Sequence, residues 1–263
     1  MAKATLKSAH INKDRKDRLS NRIVSKSVYL FTVFVIIIFM VISVSFAQDG
    51  TTQKPKDTRH TRWENYFKSK LNDPPAGFVV SGLQYIDNNH PGKVALDLGA
   101  GVGHETMVLL KQGYNVIAVD GEENAFKYMM ALPGIQNYRS HLRTIVSDFE
   151  KLNFKDIPPT DLVVASFALP FVPAKEFDKV WGNVVNTIKP GGYIIVNLFD
   201  SSFSFIEERF RPSMTFHTKE QALSLFKQFN IIYFNEVMND ATKPGTQNHY
   251  YVFIAKKRNN NPI

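Results

Sequence analysis

The chain has 263 residues, 44% of them hydrophobic and 13% aromatic, enough to bury one substantial core and too apolar for global disorder. Its net charge of +8 gathers at the amino end: residues 1–47 hold eight Lys/Arg against two Asp, and the remainder holds 24 basic against 22 acidic residues, so the domain gives no reason to invoke a phosphate-backbone footprint and no nucleic-acid partner is expected. With no cysteine, the chain forms no disulfide, no thiolate zinc site and no Cys nucleophile.

A basic tail, residues 1–27, leads into the uncharged run Val28 to Ala47, whose length is close to the ~20 residues a helix needs to cross a hydrocarbon core. The run ends in Ser45-Phe46-Ala47, a small-x-small pattern of the kind a signal peptidase cuts. Two readings follow, a transmembrane anchor or a signal peptide, and in both the protein is membrane-anchored or exported. The excess of basic residues before the run predicts a cytoplasmic tail and an exported domain, whereas Lys54, Lys56, Arg59 and Arg62 just after it oppose that orientation. Residues 48–60 are polar and aperiodic and read as a linker, with residues 61–263 as one domain.

The domain opens with a short helix over Arg62 to Phe67, ended near Asp73-Pro74-Pro75. Trp63 and Tyr66 on that helix are candidates either for a lid over a ligand or for core packing. Asn72-Asp73-Pro74-Pro75 resembles a motif of amino-methylating nucleic-acid enzymes, but Ala76 stands where an aromatic ring would stack on a flipped base, and a turn accounts for it better.

Beyond it, apolar runs at Val94–Leu98, Asn115–Val119, Arg143–Ser147, Asp161–Ser166 and Tyr193–Leu198 alternate with helical patterns at His104–Gln112, Glu122–Met130 and Lys175–Ile188. That alternation predicts a parallel sheet with helices on both faces. After a helix over Lys219–Phe229, the strands Ile231–Phe234 and Tyr250–Ala255 are joined by a Gly/Pro/Asn-containing loop, a connection that permits only antiparallel pairing.

The first strand runs into Gly99-Ala100-Gly101-Val102-Gly103 at the start of a helix. Glycines allow a tight turn and close backbone approach, and a helix N-terminus offers free N–H groups to an anionic ligand. A dinucleotide fingerprint needs G-x-G-x-x-G; here the third glycine comes one residue early, His104 takes its expected place, and Asp97 precedes the first glycine by two residues. Asp120 ends the second strand where an acid gripping ribose hydroxyls is expected, and Asp148 follows the third.

This ordered set, with Ser166-Phe167-Ala168-Leu169-Pro170-Phe171 after strand four and Ile188-Lys189-Pro190-Gly191-Gly192 before strand five, resembles the class I S-adenosylmethionine-dependent methyltransferases over roughly Trp63 to Lys257. Met214 to Glu220 and Asn248-His249-Tyr250 are similar to small-molecule methyltransferases of the tellurite-resistance type. The resemblance implies a Rossmann-like, seven-stranded, mostly parallel α/β sheet with an antiparallel C-terminal strand. It implies S-adenosyl-L-methionine as cofactor, with Gly99, Gly101 and Gly103 facing its methionine part, Asp120 at the ribose, Asp148 and Phe149 at the adenine, Ser166 and Phe167 near the sulfonium, and Asp97, Ala100 and Gly121 also among the cofactor-binding residues.

Methyl transfer from a sulfonium needs alignment in a dry pocket, and a general base only where the acceptor must lose a proton. His217 and His249 are the candidate catalytic residues, with local capping or hydrogen bonding as the competing role. The expected substrate is a small-molecule methyl acceptor, with an oxygen, nitrogen, sulfur or chalcogen nucleophile open. Two rival functions remain: an NAD-dependent oxidoreductase, and a membrane-tethered, non-catalytic nucleotide-binding module.

Overall fold

In the computed structural model, residues 59–87, 92–204, 208–240 and 247–259 are described. They all lie in the compact unit Phe46–Ile263. The basic tail, the apolar run at 28–47 and the linker up to residue 58 fall outside the described residues, and among those described no helix is long and apolar enough to cross a membrane.

Two helices lead: α1 (Arg59–Lys70) and α2 (Gly77–Gly82). Then follow β1 (Val94–Leu98), α3 (His104–Lys111), β2 (Asn115–Asp120), α4 (Glu123–Met130), β3 (Leu142–Val146), β4 (Thr160–Ala165), α5 (Ala174–Thr187), β5 (Ile188–Phe199), α6 (Lys219–Ser224), β6 (Phe229–Asp240) and β7 (Gln247–Lys257). The seven strands form one sheet in the order β3-β2-β1-β4-β5-β7-β6. All neighbouring pairs through β5 are parallel, and β7 is inserted antiparallel between β5 and β6, with Val196 opposite Phe253 and Phe234 opposite Phe253 on the other side.

The inner strands are buried on both faces, which is why β1, β2 and β4 read as β-branched and aliphatic runs without alternation. Helix α5 shows the complementary pattern: Phe177, Val180, Trp181, Val184 and Val185 recur every three to four residues and are all buried, each worth about 1.5–3 kcal/mol of transfer free energy. They pack on Leu96, Val163, Val196 and Phe253 to make the main core.

Several elements differ from the sequence reading, β5 and β7 among them, which are longer than their apolar runs. The linker ends earlier, since α1 begins at Arg59 and runs to Lys70. The helix expected over Lys219–Phe229 stops at Ser224, and β6 starts at Phe229 and is far longer than the apolar run that signalled it, because pairing with β7 carries it through Asn235 and Glu236. Helix α2 was not foreseen: six residues with a glycine at each end give no helical period, yet Phe78 and Val79 are buried, and a Cβ on Gly82 would lie 2.9 Å from Ile195 Cδ1.

Because β2 and β3 lie on one side of β1 and β4 lies on the other, the loops leaving β1 and β4 diverge at their carboxyl ends. Open α/β sheets bind ligands in the crevice at that switch point.

Candidate active site

The loop after β1 is built around its glycines. Gly99 and Ala100 both donate their N–H groups to Val119 O, at 2.8 and 3.0 Å. Gly101 donates to Asp120 Oδ2 at 2.9 Å, and Glu122 N–H donates to Asp120 Oδ1 at 2.9 Å. One buried carboxylate therefore ties the loops after β1 and β2 together. Burial pushes the Asp120 carboxyl up, against the pull of the Glu122 and Gly101 N–H groups.

Asp97 stands beneath this loop, 1% exposed, and accepts a 2.6 Å hydrogen bond from Thr106 Oγ1 on α3. Burial, aided by the nearby Glu105 charge, pushes Asp97 up to about 7 from an ordinary 3.8. Over that interval the folded carboxyl keeps a proton the unfolded chain has released, so the stability this group contributes is full at the acid end and is lost as pH rises towards 7. Asp97→Asn is expected to flatten that slope, a difference that urea midpoints of the two proteins at pH 4.5 and pH 7.5 would reveal.

Helix α1 covers the loops from above. Arg59 is ion-paired with Asp148, after β3, and with Glu122 at 3.4 Å, after β2. His60 Nδ1 lies 2.8 Å from Glu122 Oε2. Glu64 accepts from Asn124 at 2.8 Å and from Tyr128 at 2.5 Å. Burial raises the Asp148 carboxyl, but Lys151 and Arg59 outweigh it and hold the group below its ordinary range. A Cβ on Gly121 would come within 2.8 Å of Arg59 Nη2 and 3.0 Å of Asp148 Oδ1, so Gly121 makes room for this ion pair. Trp63, Tyr66 and Phe67 pack with Val102, Ala125 and Tyr128, and Trp63 meets the Phe171 ring edge-on at 5.1 Å. Of the two roles weighed for Trp63 and Tyr66, the structure shows the packing one, and that packing lays α1 over the glycine loop.

On the other side of the crevice, Ser166 and Phe167 leave β4 half-buried. Phe149 reaches across from the β3 loop: its Cζ would lie 3.6 Å from a Cβ on Gly99. Phe167 clusters with Phe78, Phe199 and Tyr250, and Phe199 stacks on Phe203 at 4.1 Å. The crevice is therefore polar at the β1–β3 end and aromatic at the β4–β5 end.

His217 and His249 meet at Asp200, at the carboxyl end of β5. His217 pairs with Asp200 through a parallel bridge, its ring packs edge-on against Phe177 at 4.6 Å, and burial lowers its pKa. His249 Nδ1 lies 2.8 Å from Ser202 Oγ and 3.0 Å from Asp200 Oδ1, and Nε2 lies 2.9 Å from Glu236 Oε1. Tyr251 donates to the second Asp200 oxygen. Both histidines are buried and hydrogen-bonded on the β5–β7 half, His249 through its ring and His217 through its main chain only, its ring Nδ1 having no hydrogen-bond partner among the described residues, while the glycine loop, Asp97, Asp120, Asp148, Ser166 and Phe167 gather at the ends of β1 to β4. The sequence reading does not single out Arg59, Glu122 or Asp200. Of these only Asp200 has a signal, as one more acid directly after an apolar strand.

The chain is similar to known proteins in sequence and in fold. Residues 59–250 match the family model described as tellurite resistance protein TehB. The chain is 29% identical over 110 residues to phosphoethanolamine N-methyltransferase 1 of Triticum aestivum, covering 41% of this chain and 22% of that protein. It is 26% identical over 182 residues to the probable S-adenosyl-L-methionine-dependent methyltransferase TehB of Haemophilus influenzae, covering 68% of this chain and 60% of that one; these curated relatives are thus spanned only in part. Among solved structures, TehB from Haemophilus influenzae superposes with a TM-score of 0.59 at 20% identity, covering 74% of this chain and 67% of that one. The 1,6-didemethyltoxoflavin-N1-methyltransferase of Burkholderia thailandensis, solved with 1,6-didemethyltoxoflavin and S-adenosylhomocysteine, gives 0.54 at 17% identity, covering 81% and 94%. With the glycine loop, the acids at the strand ends and the antiparallel seventh strand all in place, the chain belongs to the TehB family of class I S-adenosylmethionine-dependent methyltransferases.

Proposed function

We propose that this domain transfers the methyl group of S-adenosylmethionine to a small, polarisable acceptor, a chalcogen oxyanion of the kind the family description points to being the first to try. The observation that carries the reading is the Asp120 carboxylate, buried and bonded to both Gly101 and Glu122: it fits a ligand with vicinal hydroxyls lying across two backbone loops. The residues present suit the cofactor. Asp97, Gly99, Ala100, Gly101 and Gly103 would hold its methionine part, Asp120 and Gly121 its ribose, Asp148 and Phe149 its adenine, and Ser166 and Phe167 would flank its sulfonium. When bound, the cofactor supplies an electrophilic methyl group.

The chain's own contribution is alignment and exclusion of water. Trp63 and Phe171 close the crevice at their edge-on contact, and Phe167, Phe199 and Phe203 give the acceptor side an apolar wall. A soft acceptor with a free lone pair needs no base. For an acceptor that must lose a proton, His217, kept neutral by burial, and His249, joined to Asp200 and Glu236, are the residues to substitute by Gln.

Calorimetric titration of the full chain in detergent with S-adenosylmethionine, S-adenosylhomocysteine and NAD tests the reading. Micromolar binding of the first two supports it, NAD alone would restore the oxidoreductase, and silence for all three would leave a ligand-free tethered module. Arg59→Ala should weaken S-adenosylhomocysteine about three- to tenfold by freeing α1. It should cost less than about 1 kcal/mol of stability, because the Arg59 side chain is 54% exposed and exposed pairs contribute little.

The apolar run Val28 to Ala47 supports a membrane tether or an export signal as part of the same proposal. A reporter fused at Ile263 separates the outcomes: a cytoplasmic signal gives the domain direct access to the cofactor, and an extracytoplasmic one argues against turnover in the producing cell.

A further inference from the structure

Among the described residues, Phe167 is the one non-glycine residue with positive φ, at 49°. A bulky side chain in left-handed backbone costs on the order of 1 kcal/mol or more, and it persists only where its surroundings over-determine it. Two sets of contacts do so here. The ring meets Tyr250 at 5.4 Å, Phe78 at 5.8 Å and Phe199 at 6.3 Å. The Phe167 N–H donates to Asn197 Oδ1 at 2.6 Å.

Asn197 is an unusual choice for its position. It lies in β5 opposite Val252, is 0% exposed, and is flanked in sequence by Ile194, Ile195, Val196, Leu198 and Phe199, all buried. Because Phe167 offers an N–H, the oxygen of the carboxamide must face it. That leaves Asn197 Nδ2 buried with no hydrogen-bond partner among the described residues. A buried donor left unmatched is costly, and an aliphatic side chain of similar volume would suit this strand better. The residue held in this way immediately precedes Ala168, whose Cβ would lie 2.5 Å from a Cβ on Gly99. The strained turn after β4 is thus in direct register with the glycine loop.

We infer that Asn197 is a positioning residue: through Oδ1 it holds Phe167 in the left-handed conformation, and so sets the Ser166–Ala168 turn at the spacing from Gly99 that cofactor binding needs. The inference rests on the methyltransferase reading above and adds a residue that touches neither cofactor nor acceptor.

A double-substitution cycle on the full chain in detergent, read by calorimetry with S-adenosylhomocysteine and by thermal midpoint, tests it. Asn197→Leu should weaken binding at least tenfold while the midpoint changes little, since the unmatched Nδ2 is removed as the Phe167 N–H loses its acceptor. In a Phe167→Gly background the same change should cost less than threefold, because glycine adopts positive φ unaided. Asn197→Ala, which removes the same oxygen without adding bulk, is carried through the same cycle in case the leucine does not fit. Unchanged affinity in the single variants overturns the inference, as does an equal loss in both backgrounds or a loss that tracks a falling midpoint. Absence of binding by the unsubstituted chain would instead bring down the cofactor reading, and this inference with it.

Discussion

Asp120→Ala is expected to weaken S-adenosylhomocysteine binding at least a hundredfold and to lower the thermal midpoint by several degrees. The carboxylate does two jobs with separable consequences. Its oxygens accept from Gly101 and Glu122, both at 2.9 Å, in a site only 8% exposed. Alanine would strand both N–H groups, at roughly 1–3 kcal/mol for each buried donor left unmatched. In a domain of about 200 residues, each kcal/mol moves the midpoint by about 2–4 °C. On the proposed reading, the affinity loss combines a lost ribose contact with the loosening of the loop. Asp120→Asn sorts the two, because its oxygen can serve one N–H while its amide group opposes the other; its midpoint should fall between those of Ala and the unsubstituted chain. Calorimetry and thermal scans on the same preparations check both effects. Affinity within threefold of the original in Asp120→Ala would remove Asp120 from the binding site.

Gly99→Ala is expected to abolish binding and to cost roughly 2–4 kcal/mol of stability, summing a left-handed backbone penalty of about 1 kcal/mol and an overpacking cost of about 1–3 kcal/mol. Gly99 has φ 72°, and a Cβ there would lie 2.5 Å from Ala168 Cβ and 3.4 Å from Ala168 Cα. Neither atom belongs to a flexible chain that could swing aside, so relief requires the β1 and β4 loops to part. Gly113 supplies the control: it has φ 85° and nothing within 4 Å of its would-be Cβ. Gly113→Ala should therefore show the conformational part alone, about 1 kcal/mol, with cofactor affinity unchanged. Urea unfolding of the two variants separates backbone strain from steric overlap, and equal losses in both would show that the Ala168 contact plays no part.

The strands of the sheet were readable because burial on both faces demands short, nearly continuous apolar runs between helical patterns, as in Val94–Leu98 and Asn115–Val119. The glycine loop was readable for a related reason: Gly99, Gly101 and Gly103 all have positive φ, a demand that leaves its mark in the residue itself. The hairpin of β6 and β7 was legible from the loop between the strands, but not its extent. Polar residues such as Asn235 and Glu236 join a strand when a neighbour supplies their hydrogen bonds, and that neighbour is distant in sequence.

Local backbone demands and patterned burial thus sufficed for fold class, glycine loop and family, since each is written within a few consecutive residues. The contacts that hold α1 in place and support the crevice were not so written. Arg59 meets Asp148 across 89 positions, Asn197 meets Phe167 across 30, and His249 meets Ser202 across 47. Asn197 stands out in an apolar strand and His249 as a candidate base, but the sequence does not say which distant group either one meets, and Arg59 looks like an ordinary surface cation. Their roles arise when the sheet, by burying its apolar faces, brings the carboxyl ends of β1 to β5 to one edge. Charge pairing and hydrogen bonding then act between groups that the chain itself keeps far apart.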